Sequence, residues 1–362
     1  MPHKIKKIFD EKLTFENLYQ AHLRAKNHKS GRKDILSFEI HLENNLINLY
    51  RQLKNGSYHL GDYTTFTVFE PKQREIKSLP YRDRIVHQFY VEEFIKPYIM
   101  KRFISTTYAC IPFRGTHKAA KKVQEYMQQI RHLLGDFWIL KCDIKKFFYS
   151  IDKAILFKIM EKYIQDAKLL QFTKQIIYEK QTDPIGIPIG NYTSQFFANI
   201  YLNELDQFAK HKLKLKYYVR YMDDFIILLP TKQDCIAMKK QIEEFVQLSL
   251  HLELNYKSNY YPCHFGADFC GYRIFPSHIL LRNNSKKKMK RKIQQYNQLY
   301  YKNALNIPKA LSSIVSWKGH ASHANTYTLQ KKLLNKCEFL FTNIVYEKNQ
   351  DYLEQLISKE NR

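Results

Sequence analysis

Two aspartates stand side by side at Asp223 and Asp224, with an apolar run on either side, Tyr217 to Val219 before them and Phe225 to Leu229 after. Propensity disfavours aspartate in a strand, and like charges held that close repel. A divalent cation offsets both costs. Mg²⁺ takes oxygen ligands and prefers one or two carboxylates plus substrate phosphates. Two such ions roughly 4 Å apart clamp the attacking and leaving oxygens of a phosphoryl transfer. One carboxylate pair leaves two ions short of ligands, and Asp143, which closes the segment FWILKCD at 137–143, is the natural third. Singly, an Asp-Asp pair is most often a solvated turn, and a strand-terminal aspartate is most often a cap. Together, in a strongly basic chain, they point to phosphoryl transfer.

For the three acids to meet, FWILKCD must be a buried strand, and YYV (217–219) and FIILL (225–229) must form a hairpin with the acids at its tip. Helices are expected around them. Residues 10–55 place Leu46, Leu49 and Leu53 at helical spacing, and Asn55-Gly56 ends the run. YTTFTVF (63–69) reads as a strand, and the pattern from Asp83 to Met100 is helical until Pro97. Asp152 is suited to cap a helix. Residues 194–211 put Phe197, Ile200, Tyr201, Leu205 and Phe208 on one face, and Met238, Ile242, Phe245 and Val246 mark a further helix. This order predicts an α+β fold, a sheet covered by helices on one face. After Phe275 the texture changes. KKKMKRK at 286–292 holds six bases in seven positions, and a domain boundary is expected near Ser277 to Ser285.

The net charge of +25, from 59 basic and 34 acidic residues, favours a polyanionic partner over the alternatives. A membrane surface fits poorly, because neither terminus shows an amphipathic helix with a basic and a broad apolar face. Phe225 to Leu229 is too short to span a bilayer, and MPHKIKKIFD has no apolar run behind it to make a secretory signal. A cytosolic protein is expected. The six cysteines include no C-x-x-C pair, and Cys263, His264 and Cys270, though close, lack a metal-site spacing, so reduced thiols are expected.

YMDD, Tyr221 to Asp224, within YVRYMDDFIIL, resembles the catalytic hairpin of reverse transcriptases, and LKCDIKKFFYSID (140–152) resembles their first catalytic motif. The resemblance implies a right-hand polymerase fold: fingers, a palm of antiparallel sheet plus helices, and a helical thumb. It implies a helical extension at 1–60, fingers at 61–136, a palm at 137–280 with part of the fingers at 153–190, and a basic thumb at 281–362. Asp143, Asp223 and Asp224 would bind two Mg²⁺ ions, with Mn²⁺ as a substitute and the Ile144 carbonyl as a further ligand. Phe148 matches the aromatic under the sugar, which leaves no room for a 2′-hydroxyl; Phe147 beside it leaves that assignment to motif spacing. FEPKQREIKSLPYRDRIVHQF (69–89) resembles a fingers motif in which Lys72 and Arg74 contact the triphosphate, as cations suit phosphate oxygens. RGTHKA (114–119) matches a second fingers element, with Arg114 on the template. NYK (255–257) makes Lys257 a candidate general acid near the dNTP. FCGYRIF (269–275) matches the hairpin that grips the primer, so Gly271 and Tyr272, with Tyr221 and Met222, are primer-side candidates. Lys286, Lys287 and Lys288 would meet a phosphate backbone.

GIPIGNYTSQFFANIYLNELD (186–206) narrows the resemblance. Most bacterial enzymes read Q-G-x-x-x-S-P there. The I-G-N-x-x-S-Q form, with Ile189, Gly190 and Gln195 beside the dNTP, is similar to diversity-generating retroelement reverse transcriptases, as is SWKGHASHANTYTL (316–329). That subtype implies a bacterial or phage-encoded enzyme that copies a template-repeat RNA into cDNA with errors opposite adenines. It also implies a basic, oligomeric accessory variability protein as partner. No RNase H or HNH-type endonuclease is expected after the thumb, unlike a complete mobile group II intron enzyme. The alternatives are a stand-alone or defence-associated bacterial reverse transcriptase, and a catalytically silent RNA-binding protein on the same fold.

Overall fold

The computed structural model describes residues 4–69, 73–178, 180 and 183–340. The chain opens with α1 (Phe9–Lys12), α2 (Phe15–Lys26), α3 (Lys33–Ile40) and α4 (Leu42–Asn55). Thr14 caps α2 by accepting from the Asn17 N–H. Leu46, Leu49 and Leu53 are the buried face of α4, and Gly56 ends it in the left-handed conformation glycine tolerates, at φ +76°. Strands β1 (Thr64–Val68) and β2 (Arg74–Ser78) form an exposed antiparallel ribbon with Val68 opposite Arg74. The sequence reading missed β2, whose mixed charged and apolar residues lack an alternating pattern.

Helix α5 (Tyr81–Tyr90) runs into a π-helical segment, Val91–Ile99, that contains Pro97. The expected stop at Pro97 is therefore two residues early. Proline lacks an N–H and crowds the carbonyl four residues back, and the wider π turn accommodates both defects. Then come α6 (Thr116–Leu134), β3 (Trp138–Asp143), the single turn α7 (Phe147–Ser150), α8 (Lys153–Tyr163), α9 (Ala167–Tyr178) and α10 (Tyr192–Gln207). Asp152 caps α8 as expected, accepting from the Ala154 and Ile155 N–H groups. Strands β4 (Tyr218–Tyr221) and β5 (Asp224–Leu229) pair antiparallel, with Tyr221 opposite Asp224. Helix α11 (Lys232–Leu250) starts at a Thr231/Asp234 capping box. With β6 (Asn259–Pro262) the sheet order is β4-β5-β3-β6. A second sheet follows, β7 (Ala267–Phe269), β8 (Tyr272–Ile274) and β9 (Ile279–Leu281), then helices α12 (Asn283–Tyr301), α13 (Ile307–Ala321) and α14 (Tyr327–Leu334).

The mixture of helices with antiparallel sheets matches the α+β expectation. Two compact units divide the chain: residues 1–115 with 140–260, and residues 116–139 with 261 onward. This division by contacts differs from the expected division by role, because α6 belongs with β7 to β9 and the C-terminal helices. The core of the second unit includes Met289, Ile293, Leu311, Ile314 and Leu333. All six cysteines are free thiols. No helix among the described residues is long and apolar enough to cross a membrane.

Candidate active site

The hairpin has a two-residue turn. Tyr221 pairs with Asp224, so Met222 and Asp223 form the bend. Met222 has φ +55°, a left-handed conformation that L residues adopt at a cost of about 1–2 kcal/mol. The turn abuts the end of β3, where the Ile144 N–H donates to the Asp223 carbonyl at 3.2 Å. The two segments thus meet, and Asp143 and Asp223 act on each other. Burial, followed by the negative charge of Asp143, pushes the Asp223 carboxyl above the ordinary aspartate range; its own backbone N–H, Arg74 and Arg220 pull it back.

Asp143 is held from behind. Asn255 donates twice, from its main-chain N–H to the Asp143 carbonyl at 2.7 Å and from Nδ2 to Oδ2 at 2.9 Å. The Asp143 N–H donates to Ser258 Oγ at 3.1 Å. Neither Asn255 nor Ser258 is marked by the sequence, where NYK yields only Lys257 as a candidate. Lys257 itself is exposed, its ammonium 5.4 Å from the Tyr256 ring centroid.

Asp224 opens β5 beside Lys141. Its Oδ2 lies 3.5 Å from Lys141 Nζ, and its charge reaches the Cys142 thiol. Among the described residues, no three His, Cys, Asp or Glu side chains are grouped closely enough to hold a metal ion. Asp143 and Asp223 act on each other across the two segments, and Asp224 follows at the start of β5. The pair still fits a divalent cation, since it offers hard oxygen donors whose mutual repulsion a cation would relieve.

Around the pair, Arg74 of β2 is near enough for its charge to act on Asp223. Lys72 lies outside the described residues. Phe147 is buried and Phe148 half-buried, with rings 5.7 Å apart, so packing leaves Phe148 as the one of the two with an open face. The loop carrying Ile189 and Gly190 is tied on both sides. The Ile187 N–H donates to the Phe148 carbonyl at 2.8 Å, and the Lys77 N–H donates to the Ile189 carbonyl at 2.9 Å. Lys153, fully buried, donates from Nζ to the Asp183 carbonyl. Gln195 is exposed and accepts from the Cys110 thiol at 3.4 Å.

Arg114 is half-buried, and its Nη1 donates to the Ile104 and Thr107 carbonyls at 2.9 and 2.6 Å. It braces its own loop. In the second unit, Gly271 forms the β7–β8 turn at φ +89°. Tyr272 is only 1% exposed. Its hydroxyl lies 2.6 Å from His117 Nδ1 and 3.1 Å from His320 Nδ1. The Tyr272 ring faces a histidine cluster, inward by strand alternation. Lys287 and Lys288 are exposed and Lys286 partly so, on a helix whose buried face is Met289 and Ile293.

Residues 70–258 match the protein family described as reverse transcriptase (RNA-dependent DNA polymerase). The group II intron-encoded protein LtrA of Lactococcus lactis subsp. cremoris is 23% identical over 288 residues, covering 59% of this chain and 46% of LtrA. Protein YkfC of Escherichia coli strain K12 is 24% identical over 244 residues, covering 57% of this chain and 62% of YkfC. The chain spans about half the length of LtrA, since 46% of that protein is matched. Among solved structures, apo telomerase from Candida tropicalis lacking its C-terminal domain aligns with a TM-score of 0.45 and 13% identity, over 67% of this chain and 60% of that one. Telomerase from Candida albicans with a fragment of telomeric RNA aligns at 0.45 and 12%, over 84% and 70%.

Proposed function

We propose, from the premise that this chain belongs to the reverse transcriptase family, that it extends a DNA primer along an RNA template at the Asp143–Asp223 pair. The observation that carries this reading is that the Ile144 N–H ties the end of β3 to the Asp223 turn, where the charges of Asp143 and Arg74 both act on the Asp223 carboxyl. Asp143, Asp223 and the Ile144 carbonyl would hold divalent cations, Mg²⁺ or Mn²⁺. When bound, such ions supply Lewis-acid stabilisation of the entering and leaving oxygens. The chain's own residues do the positioning. Asn255 holds the Asp143 carboxylate and Ser258 its main chain, Arg74 would neutralise triphosphate charge, and Phe148 offers an aromatic wall where a 2′-hydroxyl would project. Catalysis of phosphoryl transfer is chiefly positioning and charge stabilisation. The basic face of α12 would add salt-sensitive affinity for nucleic acid. Extension of a DNA primer on an RNA template, with Asp223→Ala as control, tests the proposal. No extension by the unaltered protein overturns it.

At a finer level, the I-G-N-x-x-S-Q segment supports a diversity-generating retroelement enzyme, cytoplasmic and bacterial or phage-encoded. It would copy a template-repeat RNA into adenine-mutagenised cDNA with an accessory variability protein. The half-buried Ile189 side chain has no hydrogen-bonding group with which to hold a base or sugar in register. Losing a positioning contact narrows the free-energy gap between correct and incorrect pairing. Ile189→Gln is expected to lower misincorporation opposite adenine, read by sequencing cDNA. An unchanged error spectrum removes Ile189 as the cause.

A further inference from the structure

The catalytic hairpin rests on a buried ion pair. Arg220 of β4 and Asp206 near the end of α10 both have side chains 0% exposed. Their contact is bidentate: Nε donates to Oδ1 at 2.7 Å and Nη2 to Oδ2 at 2.6 Å. The Tyr218 hydroxyl donates to Oδ1 and the Thr107 hydroxyl to Oδ2, each at 2.7 Å. Each oxygen of Asp206 therefore accepts two hydrogen bonds, its full capacity. The other arm of Arg220, Nη1, donates to Asn199 Oδ1 at 3.2 Å and to the Met222 carbonyl at 2.8 Å. The main chain of Arg220 is fixed too. Its N–H donates to the Thr106 carbonyl, and its carbonyl accepts from the Tyr108 N–H, both at 3.0 Å.

Stability alone gives little reason for this arrangement. Desolvating two charges offsets most of their attraction, and apolar residues of similar volume often serve as well or better. What apolar residues cannot do is deliver an N–H to the carbonyl of Met222. That carbonyl belongs to the left-handed turn residue immediately before Asp223. A planar guanidinium locked on one edge by Asp206 presents its remaining arm in one direction only. We infer that Arg220 and Asp206 are positioning residues for Asp223: Asp206 fixes the guanidinium plane, and the guanidinium fixes the turn that aims Asp223 at Asp143. This inference rests on the polymerase reading of the site and adds to it two residues that do not touch the reacting atoms.

Two variants separate positioning from folding. Arg220→Lys keeps the charge opposite Asp206 but loses the planar fork. Arg220→Met combined with Asp206→Leu removes both charges and fills the space. Each is measured by single-turnover extension of a pre-bound RNA–DNA primer–template, alongside duplex affinity by fluorescence anisotropy and the dNTP concentration for half-maximal rate. Single-turnover rates count only molecules that hold the duplex, so unfolded protein lowers the amplitude and leaves the rate alone. The maximal rate is expected to fall on the order of 100-fold in the charge-free pair, the scale of a displacement of about 1 Å at a reacting group. About tenfold is expected in Arg220→Lys, with duplex affinity and dNTP half-saturation within about threefold of the unaltered protein. A charge-free pair that extends within about threefold of the unaltered rate overturns the inference. So does a rate loss matched by an equal loss of duplex affinity, which would assign the ion pair to structure alone. An unaltered protein that extends no primer overturns the polymerase reading instead.

Discussion

Gly190→Ala probes the seat of the Ile189–Gly190 loop on the β1–β2 ribbon. Gly190 has φ +128°, and a Cβ there would lie 2.6 Å from the Lys77 carbonyl oxygen and 3.0 Å from Ile76 Cγ2. The nearer neighbour is backbone and cannot swing aside. Alanine must strain the loop, at about 1–3 kcal/mol, and push β2 off the Lys77-to-Ile189 hydrogen bond, at about 1 kcal/mol more. A two-stranded ribbon is only marginally stable by itself, so the ribbon is the part that yields. Roughly 2–4 kcal/mol corresponds to a rise of about 30- to 1000-fold in the detached population, at 1.4 kcal/mol per decade. Because β2 carries Arg74, the KM for dNTP should rise about tenfold while kcat changes less. Hydrogen exchange across residues 74–78 reports the detachment, and steady-state extension reports the KM. Unchanged exchange together with an unchanged KM would refute the reasoning.

Asn255→Ala removes the 2.9 Å donor to Asp143 Oδ2. A hydrogen bond to a charged group is worth about 1.5–3 kcal/mol, so kcat/KM should fall about 10- to 100-fold; a smaller loss in folded protein would show that Ser258 suffices. Asp223→Asn should reduce extension at least about 100-fold, because it removes a carboxylate that interacts with Asp143; extension within about threefold of the unaltered protein would exclude Asp223 from the site. Burial pushes the imidazole of His87 down to about 3 from the ordinary 6.5. Between those values the unfolded chain binds the extra proton, so stability is complete above about pH 6.5 and falls as the pH drops toward 3, by at most about 1.4 kcal/mol per unit. His87→Gln, which keeps a polar partner for Thr193, should flatten the decline of Tm between about pH 7 and pH 5; parallel declines would exclude His87.

Much of the fold was legible because it obeys local rules. Apolar continuity marks β3 and β5, Asp152 caps α8, and Gly56 ends α4. The hairpin and its neighbourhood with β3 also follow from residue type. What was not legible depends on partners remote in sequence. Strand β2 exists because β1 pairs with it, and its own residues carry no period. Asn255 and Ser258 look like loop residues until β3 lies beside them. Arg220 reads as one cation among 59, and only its Asp206 partner shows why a guanidinium lies beneath an acidic turn. Tyr272 matches a primer-side motif by spacing, yet strand alternation turns its ring inward.

The clasp on Asp143 lies far downstream of the strand it completes. Asn255 comes 112 positions later and Ser258 115 positions later. A ribosome therefore releases β3 and Phe148 before the groups that hold Asp143 emerge. Closing so wide a chain interval is slow compared with helix formation. The emerging polypeptide therefore displays many of its 59 cations before Asp143 gains its clasp.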